Sequence, residues 1–125
     1  MKKEKRIKLK YIIQRAKKGY SDYDVYEIDT WFLSIMPKML NELIKNSNSF
    51  PDFIVQEYMH KNNITVYEMI ISDEKISGYC LNRWQDILIK MKNKFIEASK
   101  DNKNNHIVRK EALYMFAQYF DNLWW

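Results

Sequence analysis

Apolar side chains recur at steps of three and four residues between residues 22 and 45, and this repeat constrains the fold more than any other feature. The positions on this stripe are Val25, Ile28, Phe32, Ile35, Met39 and Leu43. A period near 3.6 residues is that of one face of an α-helix. At 1.5 Å per residue such a helix spans roughly 36 Å, the width of a small domain. We therefore predict one long helix over residues 22–45, kinked near Pro37, around which the other elements pack.

Two further helices are predicted from the same kind of spacing. One runs over residues 82–99 and carries an inner face of Trp84, Ile87, Leu88, Met91, Phe95 and Ala98. The other runs over residues 106–122 around Met115. Two glycines and two prolines in 125 residues argue against a β fold rich in turns. The predicted fold is all-α, a compact helical bundle in a single domain over residues 1–125, with a less regular middle segment, 52–81, that resembles an insertion.

The net charge of +5 is concentrated at one end of the chain. Residues 1–18 hold nine Lys or Arg against one acidic residue, a net charge of +8, so the other residues carry −3 from 12 basic and 15 acidic side chains. We interpret residues 1–6 as a flexible basic arm and expect the rest of this helix to dock through Leu9, Ile12, Ile13 and Ala16. The alternative is that the basic segment contacts phosphates or an acidic partner.

The tight turn after this basic segment has the composition of a helix start. Gly19 permits a chain reversal, and Ser21 with Asp24 three residues later forms a capping box. Asp22 and Asp24 also suit the positive end of the helix dipole. Helix starts bind anions too, and Arg15, Lys17 and Lys18 lie just upstream. Since two aspartates already occupy the place of an anion, we favour capping.

Asp29 falls on or beside the apolar stripe, where an unpaired carboxylate is costly. Arg83 and Arg109, on other predicted helices, are the candidate partners. We favour a structural ion pair or cap over a catalytic role for Asp29, because the sequence shows no base or nucleophile that would act together with it. The choice between a structural and a functional role stays open at this point.

Signals for an enzyme are weak. His60, His106 and Cys80 do not have the spacing of a zinc site, and the sequence has no glycine-rich nucleotide motif. Asp22 and Asp29 are two helical turns apart, about 10 Å, too far to share one metal ion. We predict a protein that is not an enzyme and has no cofactor and no metal. Its lone cysteine and its charged, signal-free first residues favour the cytoplasm, with no membrane association.

Residues 18–29 resemble a motif of small uncharacterised proteins encoded by bacteriophages. The matching residues are Lys18, Gly19, Tyr20, Ser21, Asp22, Asp24, Val25, Tyr26 and Asp29. An aromatic–proline pair at Phe50 and Pro51 and a helix with Trp84, Ile87, Leu88, Met91 and Phe95 extend the likeness, so that it covers residues 15–51 and 84–98. Tyr26 departs from the pattern, where tryptophan is commoner. The resemblance implies a phage origin and an infected host cell as the location, but no reaction.

Three classes of function follow. The first is an anti-defence protein that sequesters a host nucleotide signal, supported by abundant Tyr, Trp, Lys and Arg for stacking and phosphate binding. The second is an inhibitor or adaptor that binds a host protein, such as a component of a defence system. The third is a small nucleic-acid-binding protein that uses the basic N-terminal residues.

For a phosphate-bearing ligand, the predicted contacts lie at one end of the long helix. They are Arg15, Lys17, Lys18, Tyr20 and Tyr23, with Arg83 or Arg109 as a further contact if Asp29 does not pair with it. A chain of this size offers little surface to enclose a nucleotide, so we expect a homo-oligomer with a composite site. Ile89 and Ile96, which lie off the inner face, and the terminal Trp124 and Trp125 are candidate subunit contacts.

Overall fold

The computed structural model describes the backbone of residues 2–100 and 105–124 and the side chains of residues 8–100 and 105–124. Regular structure in these ranges is helical throughout, which confirms the predicted all-α fold. The elements are α1 (Lys2–Lys18), α2 (Asp22–Tyr26), α3 (Ile28–Asn46), α4 (Asp52–Lys61), α5 (Glu68–Ile71), α6 (Glu74–Ser99), α7 (Asn105–Tyr119) and a 3₁₀ turn (Phe120–Asn122).

Helix α6 is the longest element, with 26 residues, and it forms the centre of the bundle. Its six predicted inner-face residues, from Trp84 to Ala98, are all buried. Helices α3 and α7 pack on it, and both run antiparallel to it. In α3, Phe32 contacts Phe95 and the later Ile44 carbonyl accepts from the earlier Gln85. In α7, Glu111 pairs with Lys94 and the later Tyr119 contacts the earlier Trp84. Since both flanking helices oppose α6, they run parallel to each other.

Helix α6 begins eight residues before the predicted start at Asn82. Asp73 is its N-cap and accepts hydrogen bonds from the backbone N–H groups of Lys75 and Ile76, at 2.9 and 3.3 Å. Gly78 lies inside the helix. The predicted start at residue 82 was therefore wrong, because Asp73 caps the helix upstream and the helix is unbroken from there to residue 82.

The predicted long helix is two helices, α2 and α3, separated at Glu27. This residue has φ −138° and ψ 63°, outside the helical region, and helical hydrogen bonding resumes when Trp31 N–H donates to its carbonyl. Pro37 lies inside α3, so the break is not at the proline. The predicted stripe was also wrong in part: Leu33, Leu40 and Leu43 are buried, while Val25, Ile28 and Met39 are exposed.

Aromatic side chains join the three central helices. Phe32 of α3, Phe95 of α6 and Phe116 of α7 make edge-on contacts, with ring centroids 5.4–5.9 Å apart. Such aromatic pairs add roughly 0.5–1.5 kcal/mol each beyond the area they bury. This cluster fixes α3 and α7 on the same side of α6.

The middle segment, predicted to be irregular, consists of α4, α5, the short connections between them and the first two turns of α6. It supplies core residues, since Ile54, Val55 and Ile70 are buried. Tyr67 O–H donates to Asp52 at 3.0 Å and links the start of α5 to α4. That this segment is an insertion stays a prediction.

Helix α1 packs on α2 and lies outside the core cluster. It includes residues 2–6, predicted to be a flexible arm, but Met1 and the side chains of that arm lie outside the described residues. Residues 101–104 and Trp125 also lie outside them. Within the described ranges, no helix has the length and apolar character needed to cross a membrane.

Candidate functional site

The turn between α1 and α2 is built as predicted, and we call residues 14–24 the α1–α2 corner. Helix α1 ends where Gly19, at φ +86°, donates its N–H to the Arg15 carbonyl at 2.9 Å. The Ser21 hydroxyl accepts from the Asp24 N–H at 3.2 Å, and the Asp24 carboxylate accepts from the Ser21 N–H at 2.8 Å. Both bonds of the capping box are therefore present.

Arg15 makes a two-point ion pair with Asp24 across this corner. Its Nε and Nη2 donate to the two carboxylate oxygens at 3.0 and 2.6 Å. The Asp24 side chain is only 6% exposed. The hydrogen bonds from Arg15 hold the pKa of Asp24 far below its usual range, and those from Ser21 add to the effect against the opposing cost of burial. Arg15 is thus engaged in holding α1 on α2.

A second link is made by Gln14 and Asp22. The Gln14 amide donates to the Asp22 carboxylate and accepts from the Asp22 N–H, both at 2.8 Å. Lys18 lies 3.8 Å from the same carboxylate and 5.6 Å from the centre of the Tyr20 ring. The predicted roles of Ser21, Asp22 and Asp24 in capping this helix agree with these contacts.

The five predicted ligand residues lie together at the corner, but they differ in whether their side chains already contact other residues. Arg15 and Lys18 face the carboxylates of Asp24 and Asp22. Lys17 is exposed. Tyr23 is exposed and lies against Tyr11, with centroids 5.6 Å apart. The corner therefore carries less uncompensated positive charge than its sequence suggests.

Arg83, Arg109 and Asp29 do not form the predicted ion pair. Asp29 is exposed, and no ion pair between described residues includes it. Arg83 instead lies 3.8 Å from Glu57. The buried carboxylate of this region is Asp24, five residues earlier. Asp29 does lie beside the stripe, since it lines one depression with Ile28 and Phe32, but it is exposed and therefore does not carry the cost of a buried carboxylate.

Sequence reasoning missed the most conspicuous surface of the molecule, the outer side of α1. Side chains are described for residues 8–18 of this helix. Among them only Tyr11 and Gln14 are partly buried, and all the others are exposed. The predicted docking face is exposed: Leu9 at 57%, Ile12 at 60% and Ile13 at 46%. These three residues lie one helical turn apart or side by side, so they form a continuous apolar strip bordered by lysines. We call Leu9, Ile12 and Ile13 the α1 strip.

A second apolar surface lies between α3 and α7. At one end a depression of about 640 Å³ is lined by Val25, Tyr26, Ile28, Asp29, Phe32, Leu33, Arg109 and Leu113. At the other end a depression of about 420 Å³ is lined by Met36, Met39, Leu40, Leu43, Phe116, Phe120, Leu123 and Trp124. The contact of Phe32 with Phe116 forms the floor between them. We call the whole surface the α3–α7 groove.

Apart from Asp29 and Arg109, the residues that line the groove are apolar. Val25, Tyr26, Ile28, Met39, Leu113, Phe120 and Trp124 are all exposed. At its α2 end Asp29 lines the groove, and Glu27, two residues earlier, is exposed; neither carboxylate is ion-paired to a described residue. Soluble monomers rarely leave large contiguous apolar patches in water, so a surface of this kind is a candidate binding site.

The side chains that often carry catalysis are dispersed or buried. Cys80 is buried, and burial raises the pKa of its thiol, which makes it a poor nucleophile. His60 and His106 are exposed on different helices. Among the described residues, no group of three or more His, Cys, Asp or Glu side chains is placed to hold a metal ion.

Ile89 and Ile96 lie on the outer side of α6, about 40% exposed, as their position off the inner face predicted. Trp124 is 70% exposed at the end of the α3–α7 groove. Whether these residues contact another subunit stays a prediction. Comparison of the chain with protein-family models, with curated proteins and with solved structures gives no match.

Proposed function

We propose that this protein is a non-enzymatic module that binds another protein through the α1 strip, as an inhibitor or adaptor does. The observation that carries the proposal is the exposure of Leu9, Ile12 and Ile13 on a helix that the α1–α2 corner holds in place. A helix fixed in this way loses little further freedom on binding, so more of the contact energy remains as affinity.

The chemistry of the strip defines the partner. Apolar residues at positions 9, 12 and 13 are the spacing by which an amphipathic helix lies in an apolar groove. Lys8, Lys10 and Lys17, all exposed, border the strip. The partner therefore presents an apolar groove with an acidic rim, which complements the charge of α1.

The resemblance of residues 18–29 to phage proteins extends the proposal to a bacterial host protein, such as a component of a defence system. Sequestration of a nucleotide stays a prediction from the sequence. Its five contacts include Arg15 and Lys18, whose charges are directed at Asp24 and Asp22. Binding of nucleic acid by the basic first residues is likewise a prediction, and it requires that affinity fall steeply with salt.

The test is affinity capture from a bacterial lysate with three full-length baits: the unchanged protein, Ile12→Glu and Ile71→Glu. Ile12 and Ile71 are exposed to a similar extent, at 60% and 55%, so Ile71→Glu is a matched control for the change in charge and polarity. Burying one isoleucine contributes about 1.5–3 kcal/mol. We therefore expect Ile12→Glu to weaken capture of a specific protein at least tenfold and Ile71→Glu to leave it unchanged. Identical captured sets for all three baits contradict a host protein as the partner of the strip.

A further inference from the structure

We infer that the protein bound by the α1 strip is a second copy of this chain, whose α3–α7 groove receives α1. This inference rests on the proposed function and names its partner. The exchange is reciprocal, because a twofold dimer places the α1 of each copy in the groove of the other.

The length of the groove matches the length of helix α1. Helix α1 has 17 residues and is therefore about 25 Å long. Along α3 the groove runs from Ile28 to Leu43, about 23 Å at the same rise per residue, and Val25 and Tyr26 of α2 extend it. Because α3 and α7 lie parallel on α6, an added helix in the groove completes a four-helix arrangement, the usual way to close an apolar face of this kind.

The charges of the two surfaces are complementary. Residues 1–18 carry +8 and the rest of the chain −3, so each copy presents a basic helix and a mildly acidic body. Asp29 lines the groove and Glu27 is exposed two residues earlier, and neither has an ion-pair partner among the described residues. Lys8, Lys10 and Lys17 border the strip and are exposed to meet them.

The corner explains why the two surfaces do not meet within one copy. The bonds of Arg15 to Asp24 and of Gln14 to Asp22 hold α1 on α2, with its apolar strip facing solvent. Both apolar surfaces thus stay uncovered in a single chain. A second copy covers both at once, and each contact occurs twice because of the symmetry.

The test uses full-length proteins and measures mass in solution by native mass spectrometry and sedimentation over a range of concentrations. The unchanged protein should be a dimer. Ile12→Glu, in the strip, and Met39→Glu, in the groove, should each raise the dimer dissociation constant at least tenfold. Ile71→Glu, on α5, should not. All three positions are at least half-exposed, so the changes should leave the helical circular dichroism signal intact.

Mixing the two defective variants distinguishes this arrangement from other dimers. Ile12→Glu keeps an intact groove and Met39→Glu keeps an intact strip, so one of the two contacts is restored in a mixed pair. In an equal mixture, heterodimers, identified by giving the variants different masses, should exceed the twofold excess over each homodimer that random pairing gives. A dimer that Met39→Glu leaves unchanged, or a mixture with no more heterodimer than random pairing gives, overturns the inference in favour of another interface.

The outcome also separates this inference from the proposed function. If the unchanged protein is monomeric at its highest soluble concentration, the second copy is not the partner. If Ile12→Glu still abolishes capture of a host protein in that case, the binding role of the strip stands. If Ile12→Glu alters neither self-association nor capture, both proposals fail.

Discussion

Arg15 and Asp24 are the residues through which α1 is attached, and their pairing makes a pH-dependent contribution to stability. The pKa of Asp24 lies below its usual range in the folded protein because Arg15 and Ser21 donate to the carboxylate. In the unfolded chain it returns to about 3.9. A lowered folded pKa contributes stability above pH 4 or so that is lost as the pH falls below that value. Urea unfolding at pH 7 and pH 3 should show Asp24→Asn less stable at pH 7 and less sensitive to pH, with Asp121→Asn, at an exposed site, as the control. Equal pH dependence in all three proteins would contradict this.

The two glycines should respond to alanine with opposite signs. Gly19 has φ +86° and Gly78 lies inside α6, and an added Cβ meets no atom within 4 Å at either position. The effect is therefore conformational alone. Gly19→Ala should lose about 1–2 kcal/mol of unfolding free energy, since a side chain disfavours the left-handed region. Gly78→Ala should gain about 0.5–1 kcal/mol from helix propensity. Chemical denaturation of the two variants measures both changes in unfolding free energy. Changes of the same sign would show that side-chain contacts, and not backbone conformation, determine the effect.

Residues in local patterns were predictable, and residues paired over longer separations were not. The capping box of Ser21 and Asp24 spans three residues, so its bonds follow from the sequence alone. The partner of Arg15 lies nine residues away, across a turn whose geometry the sequence does not specify. For that reason the sequence suggested that Arg15 was free to bind a phosphate. The exposure of Asp29 was not predictable, because no Gly or Pro marks the break in the helix at Glu27.

The buried face of α6 was predicted correctly over the stretch where its stripe is the inner face. The buried face of α3 was predicted only in part, because α3 has two apolar faces. In α6 the stripe from Trp84 to Ala98 contains every residue that the core uses along that stretch. In α3 apolar residues lie both toward α6, as with Leu40, and toward the groove, as with Met39. Periodicity gives the spacing of each face but cannot tell which one meets the core. For this reason the groove could not be predicted from the sequence.

Two methionines test this assignment. Met91 in α6 is fully buried and Met39 in α3 is 56% exposed. Met91→Ala should cost about 2–5 kcal/mol of unfolding free energy, as buried large-to-small changes do. Met39→Ala should stay within about 0.5 kcal/mol, as surface changes do. Guanidinium titrations at a concentration where the protein is monomeric provide both values. A large loss for Met39→Ala would mean that this residue is covered within the single chain.

At the scale of the molecule, the chain divides into a body and an attached helix. Every buried apolar residue falls between Leu33 and Ala112, so no described core residue comes from α1. The charge divides at the same place, with +8 on residues 1–18 and −3 on the remainder. Apolar strip, positive charge and rigid attachment thus occur together on the element that the core does not use. This is the combination expected of a segment that serves binding.

Removal of residues 1–18 should therefore leave the body folded and abolish binding. The truncated chain loses the two links at the corner but keeps the Ser21 capping box and the whole α3–α6–α7 core. For a domain of this size about 1 kcal/mol corresponds to a shift of several degrees in Tm, so we expect a decrease on that scale and a cooperative transition. Circular dichroism melts measure the transition, and sedimentation and affinity capture on the same sample should show a monomer that retains no partner. A truncated chain that melts without cooperativity would show that α1 is part of the folding unit, and one that still self-associates would place the interface on the body alone.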